Sequence, residues 1–206
     1  MTTIERTEVP ARSVTSGGFA DPAPLGLGAF AMTTFFLSSV NTGWLAAAVT
    51  GVVFGLAVFV GGLLQLIAGV WEFAKGNTFG AVAFCSFGGF WLSFWLLGHT
   101  ALTGATPQQA GNGVGFYLLG WAIFTTYMFL SSFRTSLATM AVFLALALTF
   151  VFLAIGSFNM DAAGHGMTRI GGILGIITAV LAWYASFAGV MNATNKRTIL
   201  PTFPRA

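Results

Sequence analysis

Charge is what this chain has least of. Charged side chains make up 6% of its 206 residues, five Asp and Glu against eight Lys and Arg. Soluble globular domains carry about a quarter charged residues, so that class is excluded; with 56% hydrophobic residues the chain reads as an integral membrane protein. Cysteine is almost absent. A lone Cys85 inside an apolar run excludes an internal disulfide and a cysteine metal cluster. The basic residues are scattered rather than interleaved with exposed aromatics, which leaves nucleic-acid binding without support. Residues 1–20 lack the apolar core of a cleavable signal and read as a short disordered cytoplasmic arm. Ionisable groups are also expected to be missing from the middle of every apolar run, with Glu72 and His99 at run ends. An enzyme needs such groups, or metal ligands, to converge on a site. His99 and His165 alone do not make one, so no catalytic residue, cofactor or metal is expected.

What is present is length of apolar sequence. One crossing takes about 20 largely apolar residues, and six fit: 25–40, 52–74, 78–97, 114–133, 137–156 and 170–191. They predict one compact all-α membrane domain over 21–195, six transmembrane helices around a narrow pore, followed by a cytoplasmic tail at 196–206. The stretches 100–113 and 157–168 are polar enough to read as loops. Six crossings place both termini on one side, with Arg6, Arg12, Lys75, Arg134, Lys196, Arg197 and Arg205; only Arg169 falls opposite. The positive-inside rule makes that side cytoplasmic. Gly28 to Thr33-Thr34 in the first run is echoed by Gly120 to Thr125-Thr126 in the fourth. That echo is compatible with a 3+3 inverted repeat, a transporter and channel signature, and also with chance similarity between two Thr- and Phe-rich helices.

The apolar domain opens at Asp21-Pro22-Ala23-Pro24-Leu25-Gly26-Leu27-Gly28. Two prolines one residue apart predict an extended entry, with a helix starting only after Pro24. The glycines behind it suit either an ordinary proline stop or backbone that approaches an anion. Thr33, Thr34, Asn41, Gln65 and Thr125 are the uncharged polar groups available to a pore, though Gln65 equally suits an interhelical hydrogen bond. Glu72 and Lys75, at i,i+3 spacing, read as an interfacial pair that sets topology. Glycines 55, 62 and 69, with Gly171 and Gly175, predict faces for close helix contact and oligomer assembly.

Several motifs in order then resemble the acetate uptake transporter family, also called the succinate-acetate permeases. They are Pro22-Ala-Pro-Leu-Gly-Leu27; Ala68-Gly69 with Glu72 and Gly76-Asn77-Thr78-Phe79-Gly80; Phe87-Gly88 with Phe90-Trp91-Leu92; Phe124-Thr125; and Asn192 before Arg197-Thr-Ile-Leu-Pro201. The resemblance spans about residues 21–201. It implies six spans with cytoplasmic termini in the plasma membrane, a homohexamer with one pore per protomer, and passage of acetate and related small carboxylates such as succinate. It also implies a hydrophobic constriction of Phe, Tyr and Leu, carried onto Phe30, Phe87 and Leu146. Asp21, Pro22, Pro24, Leu25, Gly26, Leu27 and Asn192 become candidates for the pore mouth and lining. Two positions depart from the family pattern: Asp21 stands for the usual Asn, and Phe87 for the usual Tyr, which removes a hydroxyl from the constriction. The rival readings are an aquaporin-like pore for neutral solutes, which needs two Asn-Pro-Ala turns that this chain lacks, and a membrane sensor or scaffold that transports nothing.

Overall fold

A computed structural model describes residues 18–100 and 102–205. The arm expected over 1–20 therefore lies mostly outside the described residues. Six helices are long and apolar enough to cross a membrane, by length and composition. We number them α1 (Ala23–Asn41), α2 (Ala47–Lys75), α3 (Thr78–Thr100), α4 (Pro107–Ser131), α5 (Leu137–Phe158) and α6 (Gly166–Asn195). No strand interrupts them among the described residues; one isolated bridge joins Ser136 to Pro204. Each helix packs on its neighbours in sequence and α1 closes on α6, which makes a ring. In lipid the helix is the natural solution, since every backbone group finds its partner within the segment.

Small residues set the close contacts. α6 buries Gly171, Gly172, Gly175, Thr178, Ala179, Ala182, Ala185 and Ala188, a stripe at three- and four-residue spacing. A side chain at Gly175 would strike Ser38 of α1, and one at Gly171 would meet the Leu153 side chain and backbone of α5. Gly62 and Gly69 likewise face Leu92 and Cys85 of α3. Of the glycines expected to serve assembly, 62, 69, 171 and 175 are thus taken up within the chain, whereas Gly55, like Gly51, has open space. Large apolar side chains such as Phe59, Phe116, Ile123, Val180 and Phe187 point outward, where lipid accepts them.

Three expectations about boundaries need correction. α1 begins at Ala23 rather than after Pro24: Pro22 itself is in the right-handed helical region (φ −78°, ψ −15°) and Asp21 Oδ1 accepts the Ala23 N–H at 3.2 Å. α4 begins at Pro107, inside the stretch read as loop, because Thr106 and Gln109 form a capping box with proline at the first turn. α6 begins at Gly166, where Asp161 Oδ2 accepts the Met167 N–H at 2.7 Å. α2 is also not uniform. It opens with a 3-10 turn at Ala47–Val49 and carries a π-helical stretch over Ala57–Leu64, then runs as a regular α-helix over Gln65–Lys75. Trp91 packs over Gly61 within that stretch, where no side chain has room.

After α6 the chain turns at Lys196, in the left-handed region (φ 51°), and folds back. Asn192 holds this tail: Oδ1 accepts from the Ile199 and Leu200 N–H groups, and Nδ2 donates to the Leu200 carbonyl. Tyr184 donates to Pro201 O at 2.6 Å, and the Arg205 N–H donates to Thr135 O at 2.8 Å.

Candidate functional site

Two cavities enter the ring from opposite ends. The first, ≈ 160 Å³, lies at the end shared by both described termini; its wall includes Ala23 and Leu27 of α1, Gln65 and Glu72 of α2, Asn77, and Thr139 of α5. The second, ≈ 360 Å³, lies at the other end, between Asn41, Thr50, Tyr117, Ser157 and Asp161. Phe30 and Leu146 belong to the walls of both, and Phe87 to the first. All three are buried, at 5%, 3% and 3% exposure. Between the cavities stands an aromatic wall. The Phe87 ring lies 5.8 Å from Phe30, 5.3 Å from Phe124, 6.1 Å from Phe143 and 6.4 Å from Phe150, centroid to centroid. Phe90, one turn on, meets Phe150 at 5.3 Å and Trp121 at 5.2 Å. These spacings fall within the range of favourable aromatic pairs, so α1, α3, α4 and α5 meet on a single apolar plug.

The polar groups on either side differ in kind. In the first cavity Glu72 is fully buried, although it stands three residues from the end of α2. Gly80 makes the room: a Cβ there would lie 2.8 Å from Glu72 Cδ. Asn77 caps α3 through Oδ1, which accepts the Gly80 N–H, and its Nδ2 donates to Glu72 Oε2 at 2.8 Å. Glu72 Oε1 and Gln65 Oε1 have no hydrogen-bond partner. Both are acceptors, seven residues apart on one helix face. Lys75 Nζ stands 4.0 Å from Glu72 Oε2 but 2.7 Å from Asp21 Oδ1, so its main partner is Asp21. In the second cavity the unpartnered groups are Trp91 Nε1, a donor, and the Thr34 hydroxyl. A buried polar group without a partner is costly; a guest that donates a hydrogen bond would satisfy the acceptors of the first cavity, and one that accepts would satisfy the donors of the second.

The residues singled out from sequence divide in three. Leu27, Phe30, Gln65, Phe87 and Leu146 line the first cavity, and Phe30, Thr34, Asn41 and Leu146 the second. Thr33 and Thr125 line neither; each bonds back to its own helix, at Ala29 O and Trp121 O, and is fully buried. Asp21, Pro22, Pro24, Leu25, Gly26 and Asn192 also stand outside both walls, holding the α1 entry and the tail. Pro24 O accepts the Ser186 hydroxyl at 2.6 Å, and Gly26 packs beneath Phe84. Sequence reasoning passed over Asn77, Thr139, Phe143, Phe150 and the burial of Glu72. Phe150 carried no signal beyond its place in an aromatic-rich run, whereas Glu72 and Asn77 stand inside a motif already noticed. Among the described residues no three His, Cys, Asp or Glu side chains group so as to hold a metal.

Comparison with known proteins decides the family. The model of the GPR1/FUN34/yaaH family matches residues 5–205. The chain belongs to that family. Ammonia transport outward protein 2 of Saccharomyces cerevisiae is 45% identical over 190 residues, 90% of this chain and 66% of its own length. The chain thus spans just under two-thirds of that fungal relative. The succinate-acetate/proton symporter SatP of Escherichia coli is 37% identical over 182 residues, covering 88% of this chain and 94% of the symporter. Among solved structures, the bacterial acetate channel SatP superposes with a TM-score of 0.81 at 36% identity, over 89% of this chain and 99% of the channel. The expected all-α fold of six spanning helices is thus the fold of a family member, and the chain is a multi-pass membrane protein.

Proposed function

We propose that this GPR1/FUN34/yaaH family member carries acetate and related small carboxylates, succinate among them, across the plasma membrane as a channel or proton-linked transporter and not as an enzyme. The observation that carries the reading is the pair of cavities that reach the same two residues, Phe30 and Leu146, from opposite ends of the ring. With Phe87 these form the constriction, and the unpartnered Gln65, Glu72, Thr34 and Trp91 atoms line the approaches. Termini on the cytoplasmic side follow from the distribution of Lys and Arg, which makes the first cavity the inner vestibule. A homo-oligomer, hexameric by the resemblance, suits outward apolar faces such as that of Gly51 and Gly55.

Purified protein in proteoliposomes tests this with labelled acetate. We expect saturable uptake competed by succinate and short monocarboxylates. Uptake of ammonium or water with no acetate flux overturns it, the first in favour of the activity named for the yeast relative, the second in favour of an aquaporin-like pore.

A further inference from the structure

We propose that Glu72 is the protein's own proton-transfer group, passing a proton to a carboxylate that enters the first cavity; this rests on the carboxylate-transport reading above. Glu72 is 0% exposed, lines the cavity and leaves Oε1 unpartnered. Its other oxygen is fixed by Asn77 Nδ2 at 2.8 Å, which orients the carboxyl group. An unpartnered carboxyl oxygen in such a wall is completed by a guest in either state: with a proton it donates to a carboxylate, without one it accepts from a carboxylic acid.

The charges around it are disposed to permit the change. On its own helix Lys75 is committed to Asp21, which precedes α1. α3 presents Asn77 and Gly80, α1 presents Ala23 and Leu27, and α5 presents Thr139, with Thr135 just before it; none of these titrates. Arg134 and Arg205 are exposed beside Thr135 at the same end. No second carboxylate among the cavity's wall residues competes for the proton.

The O–H bond at Glu72 Oε1 breaks and leaves its electron pair on that oxygen, while a new O–H bond forms on the guest carboxylate. The neutral acid passes Phe30, Phe87 and Leu146. A hydronium ion from the aqueous mouth then restores the proton to Glu72 and leaves water. Passage out of the first cavity then no longer depends on the guest arriving neutral, a form that makes up only roughly one part in a hundred to a thousand of an acid of pKa about 4–5 at pH 7.

Glu72→Gln separates this role from a structural one, because the amide keeps an acceptor for Asn77. In proteoliposomes selected for the orientation that turns the first cavity to the bath, the variant should approach wild-type uptake of labelled acetate at about pH 5 and lose about tenfold or more at about pH 7.5, where neutral acid is scarce. Glu72→Asp should regain part of the neutral-pH uptake. Equal losses at both pH values, or none at either, overturn the proposal, as does a Glu72→Asp variant no better than Glu72→Gln. Should Glu72→Gln fail to fold, infrared difference spectra of the wild-type protein decide: acetate added near neutral pH should abolish or shift a protonated-carboxyl C=O band, and a silent spectrum overturns the assignment. A wild-type protein that moves no acetate at any pH defeats the transport reading instead, and this inference with it.

Discussion

Phe87 touches rings from three other helices, which makes its size and its chemistry separable by substitution. Truncation to alanine removes a buried ring that meets Phe30, Phe124, Phe143 and Phe150, and a Phe→Ala change in a packed core costs about 3–5 kcal/mol. We expect Phe87→Ala to lower the thermal midpoint in detergent and to raise succinate flux relative to acetate. Phe87→Tyr keeps the ring and adds a hydroxyl that must find an acceptor among apolar neighbours. It should cost less stability and move selectivity the other way. Competition assays on both variants check this, and unchanged ratios in both return Phe87 to ordinary packing. Asp21 is a different case. Its carboxylate joins Lys75 and the first N–H of α1, so its chemistry is spent on holding the start of that helix.

At the scale of elements, close approach rather than length decides what a helix tolerates. A Cβ at Gly69 would lie 2.7 Å from the Cys85 backbone nitrogen, and backbone cannot rotate away; Gly55 has nothing within 4 Å. Gly69→Ala should therefore destabilise by about 1–3 kcal/mol through overpacking. Gly55→Ala should be neutral or stabilising by up to about 1 kcal/mol through helix propensity. Thermal midpoints from size-exclusion chromatography after heating compare the two, and equal effects contradict the packing described. The six spans were legible in sequence because apolar runs of 16 residues or more have few alternatives in lipid. Their ends were not. The start of α4 is polar, and its Thr106-Pro107-Gln108-Gln109 cap carries more information than its hydropathy does. The π-helical stretch of α2 left no sequence trace; it carries Gly61 and Gly62, over which Trp91 and Leu92 of α3 pack. Glu72 reads as interfacial from its i,i+3 spacing to Lys75 along one helix, whereas its burial comes from Asn77 and Gly80 at the start of the next.

For the whole molecule the central question is which form of the substrate crosses. The wall between the cavities is built from Phe30, Phe87, Leu146 and the rings behind them, none of which offers a strong donor to a carboxylate. An anion there would give up water with nothing in exchange, and burying an unpaired charge is among the most costly acts in an apolar site. An anion entering against an inside-negative potential also works against about 2.3 kcal/mol for every 100 mV. A neutral acid avoids both costs: one that enters by the second cavity must arrive protonated, and one that enters by the first can take its proton from Glu72. Uptake should accordingly be stimulated by acid outside, carry one proton with each monocarboxylate, and proceed at a rate unaffected by a potassium diffusion potential imposed with valinomycin. A pH dye trapped in the vesicles reads the proton, and a planar bilayer reads the charge. Little current should accompany a large acetate flux, whereas sustained current at neutral pH, reversing where the acetate gradient dictates, identifies an anion channel and refutes neutral passage through this wall.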